Sequence, residues 1–440
     1  MPQIRPFRAL RFDPTAVGDL ALVVAPPYDV IGADEHARLL ARHEANVVRL
    51  DLPDDAPGDE PDDRYRRAAR TLAAWRSGGI LRKDPHPSIY VYEQSYRVPG
   101  TDVERTQRGF FARVCLGPFG SETGVLAHER TLSGPKEDRY KLLRATGVNT
   151  SPVVGLFEDP GSDVGRRLAA RTEGAPDVDV VDDEGVRHRL WPVPGDGPLA
   201  DEVAAITAAA GARPVTIADG HHRYETALRY RDERRMSRSC EEDSAFDYLL
   251  MLLLPANGEP LTVLPTHRLV RGFDAATAAG LLDLAGELFD VERGVSADAL
   301  RSEFGAAGLA AGGEGRFGLW TTAGGARLTA RRDAFVPFLP EGGDALRHLD
   351  VVLLAVALER LLGIDAAALA AGAVSFTKSA AEAIDAVDHG TDGVAAAFLL
   401  EPTPVAAIEA VAHDGDVMPQ KSTYFYPKAL TGLLINPHEW

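Results

Sequence analysis

Residues 214–227, PVTIADGHHRYETA, join a short apolar run to a polar, helix-forming run through a single glycine. The pattern predicts a buried strand at Val215–Ala218, a pivot at Gly220 and a helix that begins directly after it. The first amides of such a helix have no partner within it, and with the helix dipole they favour an anion, often a phosphate. The stretch therefore predicts a phosphate site of the kind used in nucleotide chemistry.

Charged and polar side chains surround the predicted helix start. His221, His222 and Arg223 are consecutive donors, and Asp219 places one carboxylate beside them. A glycine between a strand and a helix is ordinary punctuation, and a single histidine near it is usually structural. Two histidines and an arginine in a row are harder to explain by packing, so the cluster indicates a functional site. A metal held by both histidines is disfavoured, because adjacent helical residues diverge by about 100° whereas helical metal pairs are spaced i, i+4.

The composition is typical of a globular protein with two or three domains, since 440 residues are 45% hydrophobic and 25% charged. A net charge of -18 argues against a surface for duplex nucleic acid but permits a local basic pocket. The two cysteines, Cys115 and Cys240, are too few for a disulfide framework or a zinc knuckle, and we expect them in the core. No apolar run has the length of a membrane span, and no signal peptide is recognisable. We therefore expect a cytoplasmic protein that binds neither nucleic acid nor membrane.

A loop near the beginning of the chain carries two further candidates. Pro26 and Pro27 fix an extended turn that places Tyr28 and Asp29. A turn that follows a strand at Leu22–Val24 and a loop on the substrate side of a site are equally good interpretations.

A second loop lies in residues 126–139, LAHERTLSGPKEDR, where Glu129 follows His128 and precedes an arginine. Pro135 suits the first position of a helix that runs to about Thr146. An acid between two basic residues can serve as a general base beside a phosphoryl group. From these residues alone, a solvated loop before a helix is the favoured interpretation.

Residues 418–428, MPQKSTYFYPK, crowd two lysines, two hydroxyls and three aromatic rings between prolines. This composition suits a rigid segment that reaches into a phosphate or nucleotide site, with Lys421 as the point charge and Ser422 and Thr423 beside it. A closing strand with a polar edge is the alternative.

The remaining pattern predicts four regions. These are an N-terminal α/β region (1–120), a core with the phosphate site (121–270), an inserted Ala/Gly-rich α+β lobe (271–345) and a C-terminal region that returns to the site (346–440). The expected helices include Asp34–Ala45, Arg64–Ser77, Leu199–Ala210 and Val405–Asp414, and the expected strands include Val47–Leu52, Ile89–Val98, Gly109–Leu116, Pro152–Phe157, Ala245–Leu254 and Ala396–Leu400.

Five motifs, in this order, resemble the bacterial domain-of-unknown-function family numbered 1015. They are IRPFRAL (4–10), APPYDVI (25–31), HERTLSGPK (128–136), ADGHHRY (218–224) and MPQKSTYF (418–425). The resemblance covers nearly the whole chain, but the family label implies no reaction.

The DGHHR run at 219–223 is also similar to the phosphate-binding box of the ParB/sulfiredoxin superfamily. This similarity implies an α+β fold with a ParB/sulfiredoxin-like mixed-sheet core, to which the N-terminal region and the inserted lobe are added. Members include partition proteins that hydrolyse CTP, ATP-using sulfiredoxins, and kinases that phosphorylate free serine. Sulfiredoxins need a cysteine where this chain has His221, and partition proteins carry a DNA-binding domain that the charge and layout here do not suggest. The free-serine kinases are the closest functional match; they use an upstream glutamate as base, and Glu129 is the candidate here.

The resemblance thus implies transfer of a phosphoryl group from ATP, or from ADP or CTP, with Mg²⁺, to the hydroxyl of a small molecule, with L-serine as the expected acceptor. Glu129 and Asp219 are the expected catalytic residues, and Asp219 the expected Mg²⁺ ligand. The implied phosphate-binding residues are Gly220, His221, His222, Arg223, Lys421, Ser422 and Thr423, and the further site candidates are His128, Lys136, Tyr28 and Asp29. Two alternatives stay open: a nucleotide-binding regulatory protein that needs no base, and a metal-dependent hydrolase centred on His128, His221 and His222.

Overall fold

The structure is a computed structural model that describes residues 1–120, 122–129, 131, 133–237, 243–273, 275–305 and 312–440. At 133–135, 237, 275–276 and 278–279 the description is limited to the backbone. Cys240 and the motif residues Arg130 and Leu132 lie outside the described residues.

The strands within these ranges follow in chain order. They are β1 (Ile4–Arg5), β2 (Leu10–Phe12), β3 (Leu81–Lys83), β4 (Ser88–Arg97), β5 (Glu104–Cys115), β6 (Val125–Leu126), β7 (Val148–Asn149), β8 (Val153–Phe157), β9 (Val178–Val181), β10 (Arg187–Pro194), β11 (Val215–Asp219), β12 (Tyr248–Pro255), β13 (Thr262–Leu264), β14 (His267–Arg271), β15 (Phe289–Val295), β16 (Arg316–Thr321), β17 (Gly324–Ala330), β18 (Val374–Thr377), β19 (Val394–Leu400), β20 (Tyr424–Tyr426) and β21 (Asn436–Pro437).

The α-helices in the same ranges are α1 (Pro14–Val17), α2 (Ala33–Arg42), α3 (Val48–Asp51), α4 (Asp63–Ser77), α5 (Ser133–Thr146), α6 (Asp163–Arg171), α7 (Ala200–Gly211), α8 (His221–Ser237), α9 (Ala275–Leu284), α10 (Ala297–Phe304), α11 (Arg332–Phe335), α12 (Asp344–Arg347), α13 (Asp350–Leu362), α14 (Ala366–Ala370), α15 (Ala380–Asp388) and α16 (Val405–His413). Short 3-10 turns occur at Leu20–Leu22, Tyr28–Val30, Ala245–Asp247, Ala285–Glu287, Val336–Phe338 and Thr391–Gly393. None of the described helices has both the length and the apolar character needed to cross a bilayer.

A large mixed sheet forms the main layer. Its order, for the described strands, is β6-β11-β8-β12-β5-β4-β10-β9, and β1 pairs with β5. β11 runs parallel to β6 and β12 runs parallel to β8, whereas the other neighbours are antiparallel. Every residue of β12, YLLMLLLP, is buried, as expected for a strand covered on both faces. The protein is therefore an α+β protein with a mixed sheet.

A second sheet has the order β15-β17-β16-β19-β14-β18. Three of its strands come from residues 271–345, and three come from the flanking segments on either side. The lobe therefore shares one hydrogen-bonded sheet with strands outside it. The division into four regions remains a prediction.

The C-terminal segment forms two short two-stranded sheets with earlier parts of the chain. β20 pairs with β13, and β21 pairs with β7. Met418 forms a parallel bridge with Glu129 and donates its backbone N–H to the carbonyl of His128 at 2.7 Å. These contacts bring residues 418–428 next to the turn at Gly220.

Most predicted elements are confirmed, with shifts of a few residues. The 64–77, 199–210 and 405–414 helices correspond to α4, α7 and α16, and the 89–98 and 109–116 strands pair as β4 and β5. β8, β12 and β19 confirm the apolar strands predicted in those regions. These segments are long or strongly periodic, which is where pattern is most informative.

Two short predicted strands are wrong. Leu22 ends a 3-10 turn in which the carboxylate of Asp19 accepts from the amide of Ala21, and the run Val47–Leu52 contains the helical turn α3. Asn46 links both, because its side chain donates to the carbonyls of Leu22 and Val24 and accepts from the amide of Val48. Such short apolar runs do not show by periodicity whether they are helix or strand, and here a buried tertiary contact decides.

Helix α5 includes Ser133 and Gly134, so Pro135 is its third residue and not, as predicted, its first. A proline is tolerated in the first turn of a helix, because backbone N–H groups there have no helical partner. Cys115, predicted to lie in the core, is half-buried at the end of β5.

Candidate functional site

The turn between β11 and α8 has the geometry that the sequence predicts. β11 ends at Asp219, α8 begins at His221, and Gly220 between them has φ +95°. The N–H of Tyr224 donates to the carbonyl of Gly220 at 3.0 Å, which closes the first turn. A Cβ at Gly220 would lie 3.0 Å from Nε of Arg223. Glycine is thus required twice, for its positive φ and for the close approach of the guanidinium.

Asp219 is paired with two cations. Lys428 Nζ donates to Oδ1 at 2.5 Å, and Arg223 donates to Oδ2. Burial pushes the pKa of Asp219 upward, but the charges of Lys428 and Arg223 outweigh burial and hold that pKa well below its usual range. Arg223 also donates to the carbonyl of Pro152 and is buried. Asp219 is thus ionised and fixes the positions of both cations.

His128 and His221 form a buried pair whose rings meet edge to face, with centroids 4.6 Å apart. His128 Nδ1 contacts the carbonyl of Ile217 at 2.5 Å and must donate to it, so Nε2 accepts from the hydroxyl of Thr423 at 3.1 Å. Nε2 of His221 accepts from the backbone N–H of His128 at 3.3 Å. Burial lowers the pKa of His128 to about 4, and burial together with the neighbouring His128 lowers the pKa of His221 well below its ordinary value. Both rings are therefore neutral at pH 7.

Glu129 lies beside residues 418–422, where its backbone bridges to Met418. Its carboxylate accepts hydrogen bonds from the backbone amides of Lys421 and Ser422. Burial raises the pKa of Glu129 to about 7, although these amides and the charge of Lys421 favour the ionised form. Lys421 has φ +57°, a conformation that is uncommon for a residue with a side chain and clusters at functional sites. A carboxyl with a pKa near neutrality can accept a proton at physiological pH.

The hydroxyls predicted to bind phosphate are used within the protein. Ser422 Oγ donates to the carbonyl of Pro419 at 2.5 Å, and the Ser422 carbonyl accepts from Thr403 Oγ1 at 3.0 Å. Thr423 donates to His128. Both residues therefore shape the 418–428 segment in the observed conformation.

Lys136 is neutralised by a carboxylate on the site helix. Its Nζ donates to Glu225 at 2.8 Å and to Thr131 Oγ1 at 3.0 Å, and Thr131 also donates to Glu225. His222 lies in the first turn of α8. Burial lowers its pKa, and the charge of Glu225 opposes that shift with a smaller effect. The loop before α5 is in this way fastened to the first turns of α8.

The early proline turn reaches the same region. The guanidinium of Arg139 stacks on the ring of Tyr28 at 4.1 Å, and burial raises the pKa of Tyr28 to about 12. Asp29 is exposed, and its charge acts on Arg223 and His222. A cavity of about 110 Å³ opens between this turn and the 418–428 segment. It is lined by, among others, Pro26, Val30, Tyr424, Pro427 and Lys428.

A Mg²⁺ ion at Asp219 does not fit these contacts. Both carboxylate oxygens already accept from cationic groups, and a divalent ion would have to displace one of them. Within the described ranges no cluster of three His, Cys, Asp or Glu side chains has the geometry of a metal site. The rings of His128 and His221 have the protein contacts given above, so the observed arrangement does not converge on a metal.

Sequence reasoning missed two cations that the fold brings here. From the sequence we expected Lys421 to be the point charge of the 418–428 segment. In the structure, Lys428 of the same segment is the lysine that contacts Asp219. Arg268, on β14, is buried next to Lys421. The sequence signal for Arg268 was an arginine within an apolar strand pattern. Such an arginine indicates a site, because buried charges are rare without a partner.

Fold and turn together define a mixed α+β protein with a glycine-linked strand-to-helix junction that carries Asp219 and Arg223. The chain belongs to a family of proteins of unknown function (DUF1015), which matches residues 4–352. No curated protein matches the chain.

Three solved structures illustrate what the chain is similar to. A conserved hypothetical protein from Pyrococcus furiosus is 12% identical, with coverage of 72% of this chain and 90% of that one and a TM-score of 0.34. A free serine kinase in complex with AMP is 12% identical, with coverage of 77% and 95% and a TM-score of 0.35. SbnI with a C-terminal truncation, from Staphylococcus aureus, is 10% identical, with coverage of 73% and 85% and a TM-score of 0.35. At these scores no activity carries over to this chain.

Proposed function

We propose that the protein transfers a phosphoryl group from a nucleotide, ATP in the first instance, to the hydroxyl of a small molecule, with L-serine as the first acceptor to test. The observation that carries the proposal is Glu129, a carboxyl with a pKa of about 7 on which Asp219, at the strand-to-helix turn, acts electrostatically. The similarity of the 219–223 run to the ParB/sulfiredoxin phosphate box supports a ParB/sulfiredoxin-like core and a free-serine-kinase-like reaction.

The residues of the chain divide the work between binding and proton transfer. The amides at the start of α8 and the ammonium of Lys428 bind the phosphates, and Asp219 positions Lys428 and Arg223. Lys421, whose charge acts on both Glu129 and Asp219, faces the transferred group. Because this chemistry depends mainly on position and electrostatics, cations around the turn are the expected machinery.

In the transfer step the acceptor oxygen attacks the terminal phosphorus of the nucleotide. The bond from that phosphorus to the bridging oxygen breaks, and the shortened nucleotide leaves with the electron pair. The proton of the acceptor hydroxyl passes to the carboxylate of Glu129, which must therefore be ionised before the step.

The decisive experiment mixes the purified protein with ATP, ADP or CTP and with L-serine, and detects phosphorylated product by ³¹P NMR. We expect product with at least one nucleotide, and a rate that rises with pH through about 7 as Glu129 ionises. Glu129→Gln should lower kcat by about 100-fold or more with nucleotide affinity unchanged. Glu44→Gln, at an exposed position, is the matched control.

Two outcomes would contradict the proposal. If Glu129→Gln transferred phosphate at the wild-type rate, Glu129 would not be the base. Tight nucleotide binding without any phosphorylated acceptor would favour a regulatory protein, which uses the same phosphate turn and needs no base.

A further inference from the structure

Arg268 is a buried cation whose contacts within the described chain are to neutral groups. It is the second residue of β14, and 5% of its surface is exposed. Its guanidinium donates to the carbonyl of Thr266 and to the carbonyl of Lys421, the latter at 3.3 Å. Its Cζ lies 5.5 Å from the ring centre of Phe376. It forms no ion pair with any residue that the structure describes. Burial lowers the pKa of Arg268 to about 10, the electrostatic sign of a buried charge that lacks an anion.

The backbone of Lys421 connects Arg268 to the proposed base. The Lys421 amide donates to the carboxylate of Glu129, and the carbonyl of the same residue accepts from Arg268. Lys421, in its left-handed conformation, thus contacts Glu129 through its amide and Arg268 through its carbonyl. The two side chains act on each other electrostatically without forming an ion pair.

A second polar group near Arg268 lacks a partner. Thr266 Oγ1 is buried and makes no hydrogen bond to the described residues. Thr266 and Arg268 are two positions apart, where an extended chain points side chains to the same face. A hydroxyl and a guanidinium therefore lie on the same face, and Glu129 acts electrostatically on the guanidinium.

The charges of the site separate into two groups. Lys428 and Arg223 donate to Asp219 at the turn, whereas Glu129 is the charge that acts on Arg268; the charge of Lys421 acts on both carboxylates. The phosphates of the nucleotide thus have cations of their own, and Arg268 is on the side of the proton acceptor.

From this arrangement we propose that Arg268 binds the carboxylate of the acceptor, so that the acceptor is a small hydroxy acid whose hydroxyl is directed at Glu129. The inference rests on the proposed phosphoryl transfer and specifies its substrate class. A planar guanidinium matches a carboxylate through two parallel hydrogen bonds, and Thr266 supplies a third donor. An alcohol or amide of the same size would leave Arg268 buried and unpaired, so it should be rejected.

The test measures equilibrium binding by calorimetry with the nucleotide present. The probes are L-serine, D-glycerate and glycolate, each paired with its amide or alcohol counterpart. For the wild type we expect one or more acids to bind roughly 10- to 100-fold more tightly than the uncharged counterpart. Arg268→Gln should abolish that ratio, and Arg268→Lys should keep part of it because the charge remains.

A control variant and the affinity ratio distinguish loss of the Arg268 contact from partial unfolding of the protein. Arg271→Gln on the same strand, where the arginine pairs with Asp392, should keep the wild-type ratio. Partial unfolding lowers the affinity for acid and counterpart alike, so the ratio reports the contact. The proposal is overturned if no acid is preferred by the wild type, if Arg268→Gln keeps the preference, or if Arg268→Gln weakens ATP binding instead.

Phosphoryl transfer is measured separately with the same acids. Absence of any phosphorylated product, with an Arg268-dependent acid preference intact, would count against the kinase reaction and not against the carboxylate site.

Discussion

Asp219 and Glu129 are both carboxylates within the same site, yet their pKa values are shifted in opposite directions. Asp219 touches two cations, which hold its pKa below the usual range despite burial. Glu129 has backbone amides for partners, and burial prevails, so that its pKa rises to about 7. The residue that is always ionised positions cations, and the residue that titrates near pH 7 can exchange a proton.

The raised pKa of Glu129 predicts a pH-dependent stability. Between the ordinary pKa of 4.5 and about 7 the folded protein keeps a proton that the unfolded chain has released, so the free energy of unfolding falls as pH rises. Glu129→Gln removes this loss and should be more stable than the wild type at pH 8, by up to about 3 kcal/mol. At pH 4 the difference should vanish. Urea denaturation at both pH values measures this, and equal differences at pH 4 and pH 8 would contradict the assignment.

The double pairing of Asp219 predicts unequal costs for its partners. Asp219→Asn leaves the buried Arg223 and the half-buried Lys428 without this carboxylate and should cost about 3–5 kcal/mol at pH 7. Lys428→Met leaves the pair between Asp219 and Arg223 intact and should cost about 1–2 kcal/mol. Because the folded-state pKa of Asp219 is depressed, the difference between wild type and Asp219→Asn should shrink as pH falls below the ordinary value of 3.8. Urea denaturation of both variants tests the order, and a larger cost for Lys428→Met would contradict it.

At the scale of elements, the junction between β11 and α8 is the part of the site that depends least on distant sequence. A strand, a glycine and a helix follow one another within residues 215–237. The glycine supplies a positive φ, and the helix start supplies amides. The geometry of this junction therefore depends on neighbouring residues, and it is where we propose that phosphate binds.

Gly220→Ala should cost more than an ordinary glycine substitution. A side chain at φ +95° is strained, and its Cβ would press on the guanidinium of Arg223, which would move away from Asp219. We expect a loss of about 2–3 kcal/mol. Gly185, in the β9–β10 turn with φ +79°, is the matched control, because a Cβ added there would have no other atom within 4 Å. Gly185→Ala should cost about 1 kcal/mol, and equal losses in thermal or urea unfolding would mean that Arg223 is not displaced.

At the scale of the whole molecule, the C-terminal segment connects the sheets and completes the site. Residues 429–437 are buried throughout, and they follow the segment that supplies Lys421 and Lys428. Arg113, buried in β5, donates to Asn436 Oδ1 and to the Pro437 carbonyl at 2.6 Å each. The last residues are thus bound to the centre of the main sheet.

Removing residues 436–440 should destabilise the protein by leaving Arg113 without its acceptors, at a cost of about 3–5 kcal/mol. Arg113→Met should also destabilise, because it leaves buried carbonyls without a donor. Since both changes break the same contacts, their combination should cost at least about 1 kcal/mol less than the sum of the two. A double-mutant cycle in urea measures this coupling, and simple additivity would contradict it.

The sequence was sufficient for elements whose pattern is long or contains its own boundary signal, such as α4, the β4–β5 hairpin and the Gly220 junction. It failed at Leu22–Val24 and Val47–Leu52, where the side chain of Asn46 satisfies backbone groups of both segments and favours turns over strands. Within the site it directed attention to Glu129 and the 418–428 segment, but it could not distinguish Lys421 from Lys428 as the partner of Asp219. The spacing of two lysines along the chain does not determine which of their side chains contacts a distant carboxylate.

By itself, then, the sequence determined the strand-to-helix turn, because glycine conformation, helix-end amides and hydrophobic period are properties of neighbouring residues. Only the tertiary structure decided the electrostatics around that turn. The pairing of Asp219 with Lys428, the neutrality of His128 and His221, the raised pKa of Glu129 and the burial of Arg268 all depend on which distant segments exclude water there. Desolvation and charge proximity are properties of the folded chain in space.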